Sequence, residues 1–97
     1  MKITVNHILD AYQGIIDGSV SRDEISTWAA GCMFAAEAGK LDFDPRQDEK
    51  TIWNSIQFLS GVDLFQYDHE NNPIGYLDDN AGLEEKILEI QKVIDMR

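Results

Sequence analysis

The sequence predicts an all-α fold: one domain of residues 1–97, built as a compact bundle of four helices with a long ordered loop before the last helix. Three observations support this class. Apolar residues recur at helical spacing in four segments. Residues typical of helix caps and helix ends lie at the boundaries of these segments. A chain of 97 residues with 43% apolar content suffices for a single core.

The first two helices have clear boundaries in the sequence. The first ends before Gly18 and has apolar residues at helical spacing, namely Val5, Ile8, Leu9, Tyr12, Ile15 and Ile16. The second begins at Ser21, whose spacing to Glu24 is that of a capping box, in which each side chain bonds the backbone N–H of the other. Gly39 is the expected end of this second helix.

The third helix is predicted to begin at Asp44-Pro45 or at Asp48, because proline suits the first helical position and aspartate suits the cap. It ends at Gly61. Its apolar face consists of Ile52, Ile56 and Leu59. Trp53 lies beside this face, and we interpret it as a core residue.

Residues 62–80 show no helical periodicity. Phe65 and Tyr67 alternate with polar residues and are followed by turn-forming residues, so a short hairpin within residues 64–77 is an alternative. Pro73 and Gly75 weaken its second strand. We therefore prefer an ordered loop held in place by its aromatic side chains.

The fourth helix follows this loop, with Asp78, Asp79 or Asn80 as its cap. Its apolar residues recur at spacings of four, three and four, which predicts a narrow face toward the core: Leu83, Ile87, Ile90 and Ile94.

The chain is strongly acidic, with 18 Asp and Glu against 8 Lys and Arg and a formal net charge of −10. This charge repels phosphate, so we expect no nucleic-acid partner and no binding to anionic membranes. The longest apolar run covers residues 28–36, far short of the roughly 18 residues that span a bilayer. With no signal-peptide pattern and one cysteine, Cys32, the expected location is the cytoplasm.

The sequence contains no recognisable catalytic or metal-binding pattern. His7 and His69 have no activated nucleophile beside them. A calcium-loop template beginning at Asp68 fails because Pro73 stands where the loop needs glycine. We expect no enzyme activity, cofactor or metal. The enzymatic alternative is a small hydrolase or metal-dependent protein that uses His69 and neighbouring acids.

Residues 51–85 contain seven acids and no Lys or Arg, and they include Phe65. Acids around exposed tyrosines suit a basic protein surface, because the acids steer association and the rings supply contact area. The alternative is a solvated acidic face whose aromatics only hold the loop. The predicted partner-binding residues are Asp63, Tyr67, Asp68, Glu70, Tyr76, Asp78 and Asp79.

Several short motifs resemble one family. Residues 17–29 read DGSVSRDEISTWA and are similar to the pattern G-x-x-S-R-E-E-V-x-x-W-A. Shorter matches follow at Ile52-Trp53, Asp63-Leu64 and Tyr76-Leu77-Asp78-Asp79. The pattern resembles the immunity proteins of polymorphic-toxin and contact-dependent growth inhibition systems in bacteria.

This resemblance implies a cytoplasmic protein that binds and neutralises a cognate toxin domain, often a nuclease, and it carries no catalytic residues. The alternative within the same class of function is a generic acidic interaction module or adaptor subunit.

Overall fold

Residues 1–96, which the computed structural model describes, form four α-helices, two two-stranded sheets and a short 3-10 turn. The helices are α1 Val5–Asp17, α2 Arg22–Glu37, α3 Glu49–Leu59 and α4 Asn80–Asp95. The strands are β1 Lys2–Thr4, β2 Asp42–Asp44, β3 Phe65–Tyr67 and β4 Pro73–Tyr76.

The prediction of an all-α fold is wrong, because the structure adds two small sheets to the four helices. In the first sheet, β1 and β2 are parallel, with Ile3 opposite Phe43. Each strand has three residues, too few to show alternation, and the partners lie about forty residues apart. No local pattern in the sequence signals such a pairing.

The preferred ordered loop is also wrong, because β3 and β4 form an antiparallel hairpin. Phe65 pairs with Tyr76, and the register shifts between Gln66 and Tyr67. Pro73 and Gly75 are tolerated because both strands of a two-stranded hairpin are edges. Gly75 has φ +148°, a conformation that other residues rarely adopt.

The predicted helix boundaries are largely confirmed. Gly18 ends α1 with φ +77°. Ser21 caps α2, its hydroxyl accepting from the Glu24 N–H at 3.0 Å. Asp48 precedes α3, and Asp79 caps α4 by accepting from the Gly82 N–H at 2.9 Å. Of the alternatives for α3 and α4, the structure therefore selects Asp48 and Asp79.

The core lies among the four helices, where α2 packs on α3 and α1 packs on α4. Its largest completely buried side chains are Tyr12, Ile8, Ile52, Ile56, Leu59, Leu83, Val62 and Cys32. Trp28 and Trp53 are only half-buried and pack against this core from its edge. Within residues 1–96 no helix combines the length and apolar character that crossing a membrane requires.

Candidate partner-binding surface

The β3–β4 hairpin exposes a group of large apolar side chains, each 40% to 61% accessible. We call this group the hairpin surface; its members are Leu64, Phe65, Tyr67, Ile74, Tyr76 and Leu77. Single exposed apolar residues are common, whereas a cluster of them marks a binding site for a protein or another apolar ligand. The hairpin is therefore the candidate functional site.

The aromatic rings of the hairpin surface are ordered against one another. Phe65 stacks on Tyr76, with ring centroids 4.8 Å apart and planes inclined by 15°. Tyr67 meets Phe65 edge to face at 6.4 Å. The Leu77 N–H donates to the Leu64 carbonyl at 2.8 Å and extends the ladder to the base of the hairpin. The hairpin surface is therefore ordered in the unbound protein.

The turn of the hairpin is built around Asp68. Its carboxylate accepts from the backbone N–H groups of Asn72 at 3.0 Å and Glu70 at 2.8 Å. These bonds, that of Asn72 first, lower the pKa of Asp68 below its usual value. Asp68 therefore has two roles, because it shapes the turn and keeps a negative charge at its tip.

The base of the hairpin is held by Arg22 at the start of α2. Its guanidinium donates to the carbonyl oxygens of Val62, at 2.9 Å, and Asp78, and to the Asn80 side-chain oxygen at 3.0 Å. It also lies 4.0 Å from the centre of the Tyr76 ring. Arg22 is only 8% exposed, so one buried cation links α2, the hairpin and α4.

The structure brings all seven predicted partner-binding residues to the hairpin and its two ends. Tyr67 and Tyr76 lie on its strands, and Asp68 and Glu70 lie in its turn. The remaining three flank its base, namely Asp63, Asp78 and Asp79. Asp79 also caps α4, so its carboxylate has a structural role as well.

Sequence reasoning missed five residues of this site as site residues. Four are apolar members of the hairpin surface, Leu64, Phe65, Ile74 and Leu77. Alternation around the turn signalled the hairpin, but only the structure shows that these side chains stay exposed. The fifth is Arg22, for which no local signal exists because its partners are 40 to 58 residues away.

The enzymatic alternative relies on His69 and neighbouring acids. His69 lies in the hairpin turn with its side chain 91% exposed, and its Nε2 is 3.9 Å from a Glu70 carboxylate oxygen. Across residues 1–96, no group of three or more His, Cys, Asp or Glu side chains is arranged to hold a metal ion. Cys32 is buried, and this burial raises the pKa of its thiol.

A separate cleft of about 220 Å³, lined by both polar and apolar side chains, lies between α1, α3 and α4. Tyr12 lines it, and the Tyr12 hydroxyl is enclosed without a hydrogen bond of ordinary geometry within residues 1–96. Burial raises the pKa of Tyr12 to about 12, and the neighbouring Ser55 hydroxyl opposes this shift more weakly. The cleft lies in the helical body and contains no hairpin residue.

Comparison with known proteins finds a similarity over part of the chain. The chain is 27% identical over 56 residues to the uncharacterized protein YxzC of Bacillus subtilis (strain 168). The matching segment is 58% of this chain and spans 40% of that protein. No protein-family model matches the chain, and no solved structure matches it at a significant level.

Proposed function

We propose that this chain is a non-enzymatic immunity protein that binds and neutralises a cognate bacterial toxin domain in the cytoplasm, with the hairpin surface as its interface. One observation carries the proposal. The hairpin exposes ordered aromatic and aliphatic side chains within a segment, residues 51–85, that has seven acids and no Lys or Arg.

The two kinds of residue on the hairpin have different roles in binding. Exposed Tyr67, Ile74 and their neighbours supply apolar contact area at the centre of an interface, where a few large side chains provide most of the affinity. The acids at the turn and the base act over a longer range. They accelerate association with a positively charged surface, and they disfavour acidic partners.

The chemistry of the partner follows from this arrangement. A surface that fits the hairpin needs an apolar depression for the aromatic rings and Lys or Arg side chains around it. A toxin domain that acts on nucleic acid has a basic surface of this kind, because it must attract phosphate. The resemblance of the sequence motifs to immunity proteins is what identifies a toxin, often a nuclease, as the expected partner.

Binding kinetics measured by surface plasmon resonance at low and high salt test the proposal, with the product of the neighbouring gene as the ligand. The test variant neutralises four hairpin acids: Asp68→Asn, Glu70→Gln, Asp78→Asn and Asp79→Asn. The amide oxygens can still accept the bonds that shape the turn and cap α4. We expect about tenfold slower association at low salt, and the difference should shrink at high salt.

A matched control neutralises three Asp and one Glu that are exposed away from the hairpin: Asp10→Asn, Asp17→Asn, Glu37→Gln and Asp42→Asn. Each variant raises the formal net charge from −10 to −6, because four carboxylates lose their charge. The control should associate nearly as fast as the unmodified protein. Equal slowing by both variants would show that overall charge acts instead of the hairpin, and absence of binding by the unmodified protein would refute the toxin assignment.

A further inference from the structure

We propose that Arg22 is the positioning residue that holds the hairpin in its partner-binding orientation, an inference that rests on the proposed function. The first argument is the unusual environment of its charge. Arg22 lies in the first turn of α2, where the helix dipole disfavours a cation. It is 8% exposed, and within residues 1–96 no carboxylate forms an ion pair with it.

A buried cation of this kind is stable only if several hydrogen bonds replace its hydration. The guanidinium obtains them from backbone carbonyls, which form charge-assisted bonds with it. Those carbonyls belong to Val62, three residues before β3, and Asp78, two residues after β4. One side chain therefore joins both ends of the hairpin segment to α2.

Through its contact with Tyr76, Arg22 also positions the aromatic rings of the hairpin surface. The guanidinium lies over the Tyr76 ring at 4.0 Å, and the same ring stacks on Phe65. The position of Arg22 therefore fixes the two stacked rings, and through Phe65 it fixes the edge contact of Tyr67. A lysine cannot reproduce this geometry, because its ammonium lacks the planar fork that donates to separate acceptors while it stacks.

The need for such a residue follows from the exposure of the hairpin. All four residues of β4 and all three of β3 are exposed, so burial in the core contributes little to the orientation of the strands. A two-stranded hairpin alone is marginally stable in water. Preorganisation by Arg22 removes the cost of ordering the hairpin during association, and a lower ordering cost strengthens binding.

Two Arg22 variants and a neighbouring control separate positioning from general stability. Arg22→Lys keeps the charge but loses the fork, and Arg22→Met keeps much of the side-chain length without the charge. Ser21→Ala removes the cap of the same helix, yet Ser21 makes no hydrogen bond to the hairpin. Ser21→Ala weakens the start of α2, whereas only the two Arg22 changes release the base of the hairpin.

Amide hydrogen exchange, which needs no partner, is the first readout. In both Arg22 variants we expect exchange at the Leu77 amide, which bonds to Leu64, to rise about tenfold relative to the amides of α3. Ser21→Ala should leave this ratio unchanged. If the ratio of Leu77 exchange to α3 exchange is the same in the Arg22 variants as in Ser21→Ala, the inference is overturned.

The association rate with the toxin domain is the second readout. We expect Arg22→Lys to slow association about fivefold or more while Ser21→Ala has no effect once both proteins are folded. Unchanged association in Arg22→Lys would also overturn the inference. If hairpin exchange rises but the unmodified protein binds no toxin domain, Arg22 still holds the hairpin, and it is the proposed function that fails.

Discussion

Replacing Tyr12 by phenylalanine separates the stability of the helical body from the properties of the hairpin. The Tyr12 side chain is completely buried, and its hydroxyl makes no hydrogen bond of ordinary geometry within residues 1–96. Burying an unsatisfied hydroxyl is unfavourable, so its removal should not destabilise the protein at neutral pH. We expect Tyr12→Phe to change the free energy of unfolding by less than about 1 kcal/mol, with stabilisation the more favoured direction.

The same substitution has a larger effect in alkali. The pKa of Tyr12 rises from 10.0 to about 12 in the folded protein, chiefly because burial disfavours the phenolate. Below pH 10 the phenol is neutral in both states, and its contribution to stability is fully present. Between pH 10 and 12 only the unfolded chain ionises, so the free energy of unfolding falls by about 1.4 kcal/mol per pH unit, or about 2–3 kcal/mol in total.

Urea denaturation of both proteins at neutral pH and at intervals between pH 10 and 12 measures these effects. Tyr12→Phe lacks the phenol, so its stability should exceed that of the unmodified protein by a margin that grows through this interval. All other residues are the same in the two proteins, so their contributions cancel in the difference. Parallel pH profiles would show that burial does not raise the pKa of Tyr12. A loss of more than about 1.5 kcal/mol at neutral pH would show that the hydroxyl has a strong hydrogen-bond partner.

Four further substitutions test the helix cap, the core edge and the hairpin surface. Ser21→Ala removes the α2 cap and should lower the free energy of unfolding by about 0.5–2 kcal/mol in chemical denaturation; an unchanged midpoint would contradict the cap. Trp53→Ala removes a half-buried indole that meets Phe43 edge to face, so it should cost about 2 kcal/mol, less than a fully buried aromatic. Tyr67→Ala should raise the dissociation rate of the complex without changing the stability of the protein. Tyr76→Ala should raise the dissociation rate and also accelerate amide exchange in the hairpin. Equal effects of the two substitutions would refute the different roles of the two tyrosines.

The helices could be predicted because their signals are local. Ser21 and Glu24 lie within one turn, and Gly18 follows Asp17, the last residue of α1, directly. The β1–β2 pair could not be predicted, because Ile3 and Phe43 are brought together only by the packing of the helices between them. The hairpin could be predicted only in part, because the sequence shows turn-forming residues between its strands, whereas Pro73 and Gly75 weaken the second strand.

The candidate site could also be predicted only in part. Charge and aromatic content indicate the segment that contains Tyr67, Asp68 and Tyr76, and the structure brings these residues to one hairpin. The role of Arg22 was not predictable, because a guanidinium that binds distant carbonyls leaves no pattern in the residues around it. Asp79 is one of the three caps that the sequence allows for α4, and the structure establishes it as the cap.

Hydrogen exchange of the complex with the candidate toxin domain tests the hairpin assignment most directly, because it locates the interface without any substitution. If the hairpin surface is the interface, amides of residues 62–79 will gain protection on binding, and the exposed faces of α1 and α2 will not. Protection concentrated elsewhere, for instance in residues 40–50, with an unchanged hairpin would contradict the assignment.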